Sequence, residues 1–231
     1  MSLDSLRSTF RYRVARHALI GPALWVWGRP RVTGRQHIPR TGPVILAANH
    51  LAISDSFFVV QSARRPVMFL AKSDYFTQPG LRGRVKKVFF SGMGQIPVDR
   101  SGGAKASPAI DAATKIVRSG GAWGIHPEGT RSPDGRIYKG HTGVIRVAAA
   151  TGTPVVPIAL TGTDGRNRRT FLRSRVTVDV LPPLDMSDVS IDDEVSIRRA
   201  TDRLIDAIAA RTGQERVPVY AKPGSARKQA S

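Results

Sequence analysis

Cysteine is absent from the 231-residue chain, which excludes disulfides, thiolate metal ligands and a thiol nucleophile. A Gly-x-Ser-x-Gly elbow is absent too, so a covalent intermediate on such a serine has no carrier. Histidines and carboxylates nowhere fall at metal-ligand spacing. No apolar run reaches the roughly 20 residues that cross a bilayer, and no internal repeat divides the chain. Acidic residues are scarce: 17 Asp and Glu stand against 36 Lys and Arg, a formal net charge of +19. Such a surface seeks anions. Nucleic acid is one candidate, but zinc-finger spacing, an aromatic-rich ribonucleoprotein motif and a helix-turn-helix are all missing. What remains is a chain of 41% hydrophobic residues, enough for one sizeable core.

The apolar run Val44-Ile45-Leu46-Ala47-Ala48 leads into Asn49-His50-Leu51-Ala52-Ile53-Ser54-Asp55, an acid/base pair at the end of a strand. Five residues advance a helix by about 500°, so His50 and Asp55 cannot face each other on one continuous helix. A turn between them is required. Ser54 suits the N-cap of a helix over 55–60, and Asp55 in its first turn complements the helix dipole. If His50 bends back over that terminus, Asp55 accepts from one ring nitrogen and the other is left to take a proton from a hydroxyl. The plain alternative is a capping aspartate beside an unrelated loop histidine.

A second polar cluster, His126-Pro127-Glu128-Gly129-Thr130-Arg131-Ser132, follows the short apolar run 121–125. Pro127 and Gly129 permit a tight path on which amides can converge on an anion, while Glu128 and Arg131 can order each other or a ligand. An ordinary turn with an ion pair is the competing reading. Lys72 closes a third apolar run, 67–70, which brings it to the same sheet edge as a further phosphate contact or leaves it a solvated lysine beside Asp74.

Four segments, Asn49-His50 through Asp55, Gly94-Gln95-Ile96-Pro97-Val98-Asp99-Arg100, Pro127-Glu128-Gly129-Thr130-Arg131-Ser132 and Val155-Val156-Pro157-Ile158-Ala159, resemble in order the motif blocks of the glycerolipid acyltransferases. They are most similar to the 1-acylglycerol-3-phosphate branch. Four ordered blocks over 44–160 are far more specific than any one. The resemblance implies transfer of a fatty acyl group from an acyl-CoA or acyl-carrier-protein thioester to the hydroxyl of 1-acylglycerol 3-phosphate, giving phosphatidic acid. It implies His50 as general base and Asp55 as its partner. Arg100 and Arg131 would serve the acceptor's phosphate, with Glu128, Gly129 and Thr130 shaping that site. No cofactor or metal is implied beyond the thioester co-substrate. His126 departs from the family, which more often places an apolar or aromatic residue before the proline. Within the same chemistry, glycerol 3-phosphate, another lysophospholipid or a glycolipid headgroup are alternative acceptors. A basic nucleic-acid or lipid-binding protein whose motif residues no longer catalyse is the alternative of another class.

Charge placement separates these alternatives. Arg7, Arg11, Arg13 and Arg16 are interleaved with Leu6, Phe10, Val14 and Ala15, and precede an apolar run through Trp25 and Trp27. Interfacial tryptophans and arginines meeting anionic headgroups at about 1 kcal/mol each suit a membrane surface, not nucleic acid. The run is too short to span and is kinked by Pro22. The expectation is therefore a peripheral or monotopic protein on the cytoplasmic face of a membrane, against a helix that merely packs on the domain. Residues 1–30 form the anchoring segment, 31–213 the catalytic domain and 214–231 a basic, disordered tail.

The fold class expected is α/β, a mostly parallel central sheet covered by helices. Strands are read at 44–48, 67–70, 95–98, 121–125, 154–160 and, as a late edge strand, 176–180. Helices are read from Ser54 and over 81–90, 108–117, 142–150 and 193–210. Such alternation puts the site at the strand ends.

Overall fold

A computed structural model describes residues 29–72, 95–98, 108–164 and 175–222, together with Pro22, Val26 and Gly28. Most of the anchoring segment, the helix at 81–90, Arg100, the basic turn at 165–169 and the tail from 223 lie outside these residues. Nine strands and four α-helices are described: β1 (Arg31–Thr33), β2 (Val44–Ala48), α1 (Asp55–Ser62), β3 (Val67–Lys72), β4 (Gln95–Val98), α2 (Pro108–Arg118), β5 (Ala122–Ile125), β6 (Ile137–Tyr138), α3 (Gly143–Thr151), β7 (Val155–Thr161), β8 (Thr177–Val180), α4 (Glu194–Thr212) and β9 (Arg216–Val217). Seven strands form one sheet in the order β1-β8-β7-β2-β5-β3-β4. Every pairing in it is parallel except β7 with β8.

Parallel strands between two helical layers are buried on both faces, which is why β2 reads as an unbroken apolar run. All five of its residues are buried. Successive side chains point to opposite faces. Val44, Leu46 and Ala48 pack with Phe58, Val59 and Val60 of α1, whereas Ile45 and Ala47 pack with Ile116 of α2, Val144 of α3 and Leu204 of α4. Gly124 of β5 has a local reason: a Cβ there would stand 2.3 Å from the Phe69 ring of β3.

The late strand differs from expectation. β8 is interior, because β1 pairs outside it from Arg31 opposite Thr177 to Thr33 opposite Asp179. The Asp179 carboxylate joins the two strands to α4, accepting from the Thr33 hydroxyl and from Arg211 Nε at 2.7 Å. The ordered chain also runs past 213. β9 pairs with β6, Ile137 N donates to the Glu215 carbonyl and Lys139 N to that of Val219, both at 3.0 Å. Residues 214–222, which composition groups with the tail, thus border the second polar cluster.

Candidate active site

Because β2, β5, β3 and β4 are parallel neighbours, their carboxyl ends share one edge, where open α/β sheets bind ligands. Asn49 and His50 leave β2 there, and His126 leaves β5. Lys72 ends β3, with only its backbone described, and β4 ends at Val98, two residues before Arg100.

Asp55 turns back from the start of α1. Its buried Oδ2 accepts from Leu51 N at 2.6 Å, Ala52 N at 2.7 Å and His50 Nδ1 at 3.0 Å. Ser54 holds the cap position without making a side-chain capping bond: its backbone is already helical, at φ −69° and ψ −15°, and the first-turn Phe57 N donates to the Ser54 carbonyl at 3.0 Å. A carboxylate only accepts, so His50 Nδ1 carries the proton and Nε2 the lone pair. Nε2 has no partner among the described residues, and the side chain keeps 18% of its surface open to solvent.

The second histidine lies against the first. The His50 and His126 rings are stacked, with centroids 3.9 Å apart and planes within 8°. His126 Nδ1 lies 3.0 Å from the Ala48 carbonyl and 3.1 Å from that of Asn49, so it is the protonated nitrogen. Nε2 then accepts from the Ser56 hydroxyl at 3.0 Å. Burial, reinforced by the charge of the neighbouring His50, pushes the His126 imidazole down to about 3, against the pull of Asp55 and the two carbonyls. It is neutral at ordinary pH.

Glu128 shapes the site from behind. It is 1% exposed; Oε1 accepts from His50 N and Oε2 from Tyr138 N, both at 2.9 Å. Both oxygens are committed to backbone, so the expected mutual ordering of Glu128 and Arg131 does not occur. Burial pushes its carboxyl up to about 7, against those two hydrogen bonds. The chain then turns through Gly129 at φ 73°, a conformation that favours glycine. Thr130 and Arg131 follow, both half-buried, before Ser132 N returns to the His50 carbonyl at 2.7 Å. Arg131 makes no ion pair among the described residues, which leaves its guanidinium available to an anion.

Two residues escaped the sequence reading as parts of the site. Asn49, buried at the end of β2, is bonded to Leu160 of β7 and to Gln214. Gln214 Nε2 in turn donates to the Gly135 carbonyl at 2.6 Å. Asn49 stood inside a motif block and its signal was visible; Gln214 had none. Among the described residues no group of three or more His, Cys, Asp or Glu side chains is placed to hold a metal, and no helix is long and apolar enough to cross a membrane.

The mostly parallel α/β sheet and the ordered motif blocks along it are features of the acyltransferase family. The chain belongs to that family, whose model matches residues 29–161. Among particular relatives, the 1-acyl-sn-glycerol-3-phosphate acyltransferase of Limnanthes douglasii is 31% identical over 181 residues, covering 76% of this chain and 62% of that protein. That of Borreliella burgdorferi is 33% identical over 154 residues, 65% of this chain and 59% of that protein. The chain thus spans about three-fifths of the length of these relatives. The crystal structure of the 1-acyl-sn-glycerophosphate acyltransferase PlsC from Thermotoga maritima shares the fold, with a TM-score of 0.69 at 21% identity over 92% of this chain and 84% of that one.

Proposed function

We propose that the protein moves a fatty acyl group from an acyl-CoA or acyl-carrier-protein thioester to the free hydroxyl of 1-acylglycerol 3-phosphate, forming phosphatidic acid. The observation that carries this reading is the His50 Nδ1 to Asp55 Oδ2 hydrogen bond of 3.0 Å, which leaves the lone pair on Nε2. Nε2 removes the hydroxyl proton as the oxygen attacks the thioester carbonyl carbon. The tetrahedral oxyanion then collapses, the C–S bond breaks, and the thiolate takes the proton back from His50.

Base catalysis contributes about 10²–10⁴-fold, which is insufficient alone, so holding hydroxyl and thioester together must supply much of the rest. Arg131 suits the acceptor's phosphate because a guanidinium binds phosphate in two places at once; Lys72, which ends β3, and Arg100, two residues further along the sequence than β4, are proposed as its companions. The names of the relatives favour the 1-acylated acceptor over glycerol 3-phosphate, other lysophospholipids and glycolipids. The formal net charge of +19 supports work at an anionic membrane surface, where a singly acylated acceptor resides.

Thiol release with long-chain acyl-CoA and a panel of these four acceptor classes tests the assignment. Turnover with 1-acylglycerol 3-phosphate exceeding the others is the expected result, together with a raised KM for that acceptor in Arg131→Ala. Preference for an acceptor without phosphate would reject it.

A further inference from the structure

His50 is fixed at one point of its ring by Asp55, and a single hydrogen bond does not fix a plane. The plane is set by what lies beneath. His126 stacks on it at 3.9 Å and 8°, and Phe69 of β3 stacks on His126 at 5.5 Å and 28°. Three adjacent strands thus feed one ladder of rings, β3 through Phe69, β5 through His126 and β2 through His50. Gly124 admits it, since a Cβ at that position would collide with the Phe69 ring at 2.3 Å.

We infer that His126 is a positioning residue, the floor that holds the plane of His50 and thereby the direction of Nε2. The inference rests on His50 being the base. His126 is suited to the task because three contacts immobilise it, two carbonyls at Nδ1 and the Ser56 hydroxyl at Nε2. The same contacts bar it from acting as a base, since its only lone-pair nitrogen is already accepting. Of the two histidines, one reacts and the other supports.

A tilted ring carries Nε2 away from the hydroxyl, and a displacement of about 1 Å can cost about 10²-fold in rate. His126→Leu, which fills space without a flat ring, is expected to lower kcat by about 10–100-fold with the acceptor KM unchanged. His126→Phe keeps the floor and should restore most of kcat, although it loses the Ser56 and carbonyl bonds. Ring ¹³C relaxation supplies a readout besides activity: with Asp55 holding the Nδ1–H tautomer in all three proteins, the His50 ring should be rigid in wild type and His126→Phe and mobile in His126→Leu. Wild-type kcat and an equally rigid His50 ring in His126→Leu would overturn the inference, as would His126→Phe being no better than His126→Leu. Activity in His50→Ala would instead strike the base assignment itself, so the two failures are distinguishable. If His126→Leu does not fold, Ser56→Ala frees the Nε2 side of the floor; an intermediate loss of kcat is expected, and none would overturn the inference.

Discussion

Asn49 and Leu160 exchange two hydrogen bonds: Asn49 Nδ2 donates to the Leu160 carbonyl at 2.9 Å, and Leu160 N donates to Asn49 Oδ1 at 2.8 Å. A side chain here continues the pairing of β2 with β7 one step beyond the last backbone rung, and the next residue is His50. Asn49→Asp keeps the acceptor but turns the donor into a second oxygen facing the Leu160 carbonyl and Gln214. A loss of about 1–3 kcal/mol in stability, the cost of unsatisfied buried polar groups, is expected by denaturant titration. A fall in kcat should accompany it, because the end of β2 aims the histidine.

Glu128 couples two segments through backbone alone, so its removal should be felt at His50 without any change in ligand chemistry. Glu128→Gln preserves shape but replaces one acceptor by an amide NH₂ that meets a backbone N–H. The variant should lose about 1–3 kcal/mol of stability at acidic pH. The cost should be largest at acidic pH and shrink as pH rises toward 7, because the neutral amide does not carry the burial penalty that raises the Glu128 carboxyl; kcat should fall while the acceptor KM stays near that of wild type.

Half-buried His126 and buried Glu128 act oppositely on stability. His126, lowered from 6.5 to about 3, binds fewer protons folded than unfolded between those values, so its contribution is intact above pH 6.5 and is lost as pH falls toward 3. Glu128, raised from 4.5 to about 7, binds more protons folded; its contribution is intact below pH 4.5 and is lost as pH rises to 7. Between 4.5 and 6.5 the two slopes offset each other, and below 4.5 His126 acts alone of this pair. Thermal unfolding of His126→Phe should therefore be less acid-sensitive than wild type from pH 6.5 downward, by up to about 1.4 kcal/mol per pH unit.

Gln214 bridges Asn49 and the Gly135 carbonyl, and β9 closes the second sheet against β6. A chain ended after Gly213 loses these bonds and the Tyr220 ring that stacks on His141 at 4.5 Å. Hydrogen exchange over 127–141 should rise and kcat should fall. A chain ended after Lys222 should match wild type in both measurements.

How much of this was legible varies with the physics of each element. The interior strands β2, β3, β5 and β7 were readable because parallel strands covered on both faces are largely apolar, and β4, at the sheet edge, was readable from the short run inside its motif block. β1, β6 and β9, two or three residues each, are too short to carry a period, and missing β1 misplaced β8 at the edge. Helix α4 was readable to within two residues of its end, since Asp193 accepts from Val195 N at its start and Gly213, at φ 72°, stops it. The His50–Asp55 pair was legible because its spacing demands a turn. Ser54 failed as a cap for a reason invisible in sequence: its backbone is itself helical, and the first-turn Phe57 N bonds its carbonyl and not its hydroxyl. The direction in which Glu128 faces, and the stacking of His126 on His50, depend on β2 lying beside β5, which no local pattern records. The Asn49–Gln214 bond spans 165 positions and lay beyond any motif.

The most direct measurement is single-turnover acyl transfer from acyl-CoA to 1-acylglycerol 3-phosphate by wild type and His50→Ala, with folding checked by circular dichroism. The account predicts a folded variant whose chemical step is slower by about 10²–10⁴-fold, with Asp55→Asn also severely slowed. A folded His50→Ala enzyme that transfers the acyl group at the wild-type rate would contradict it.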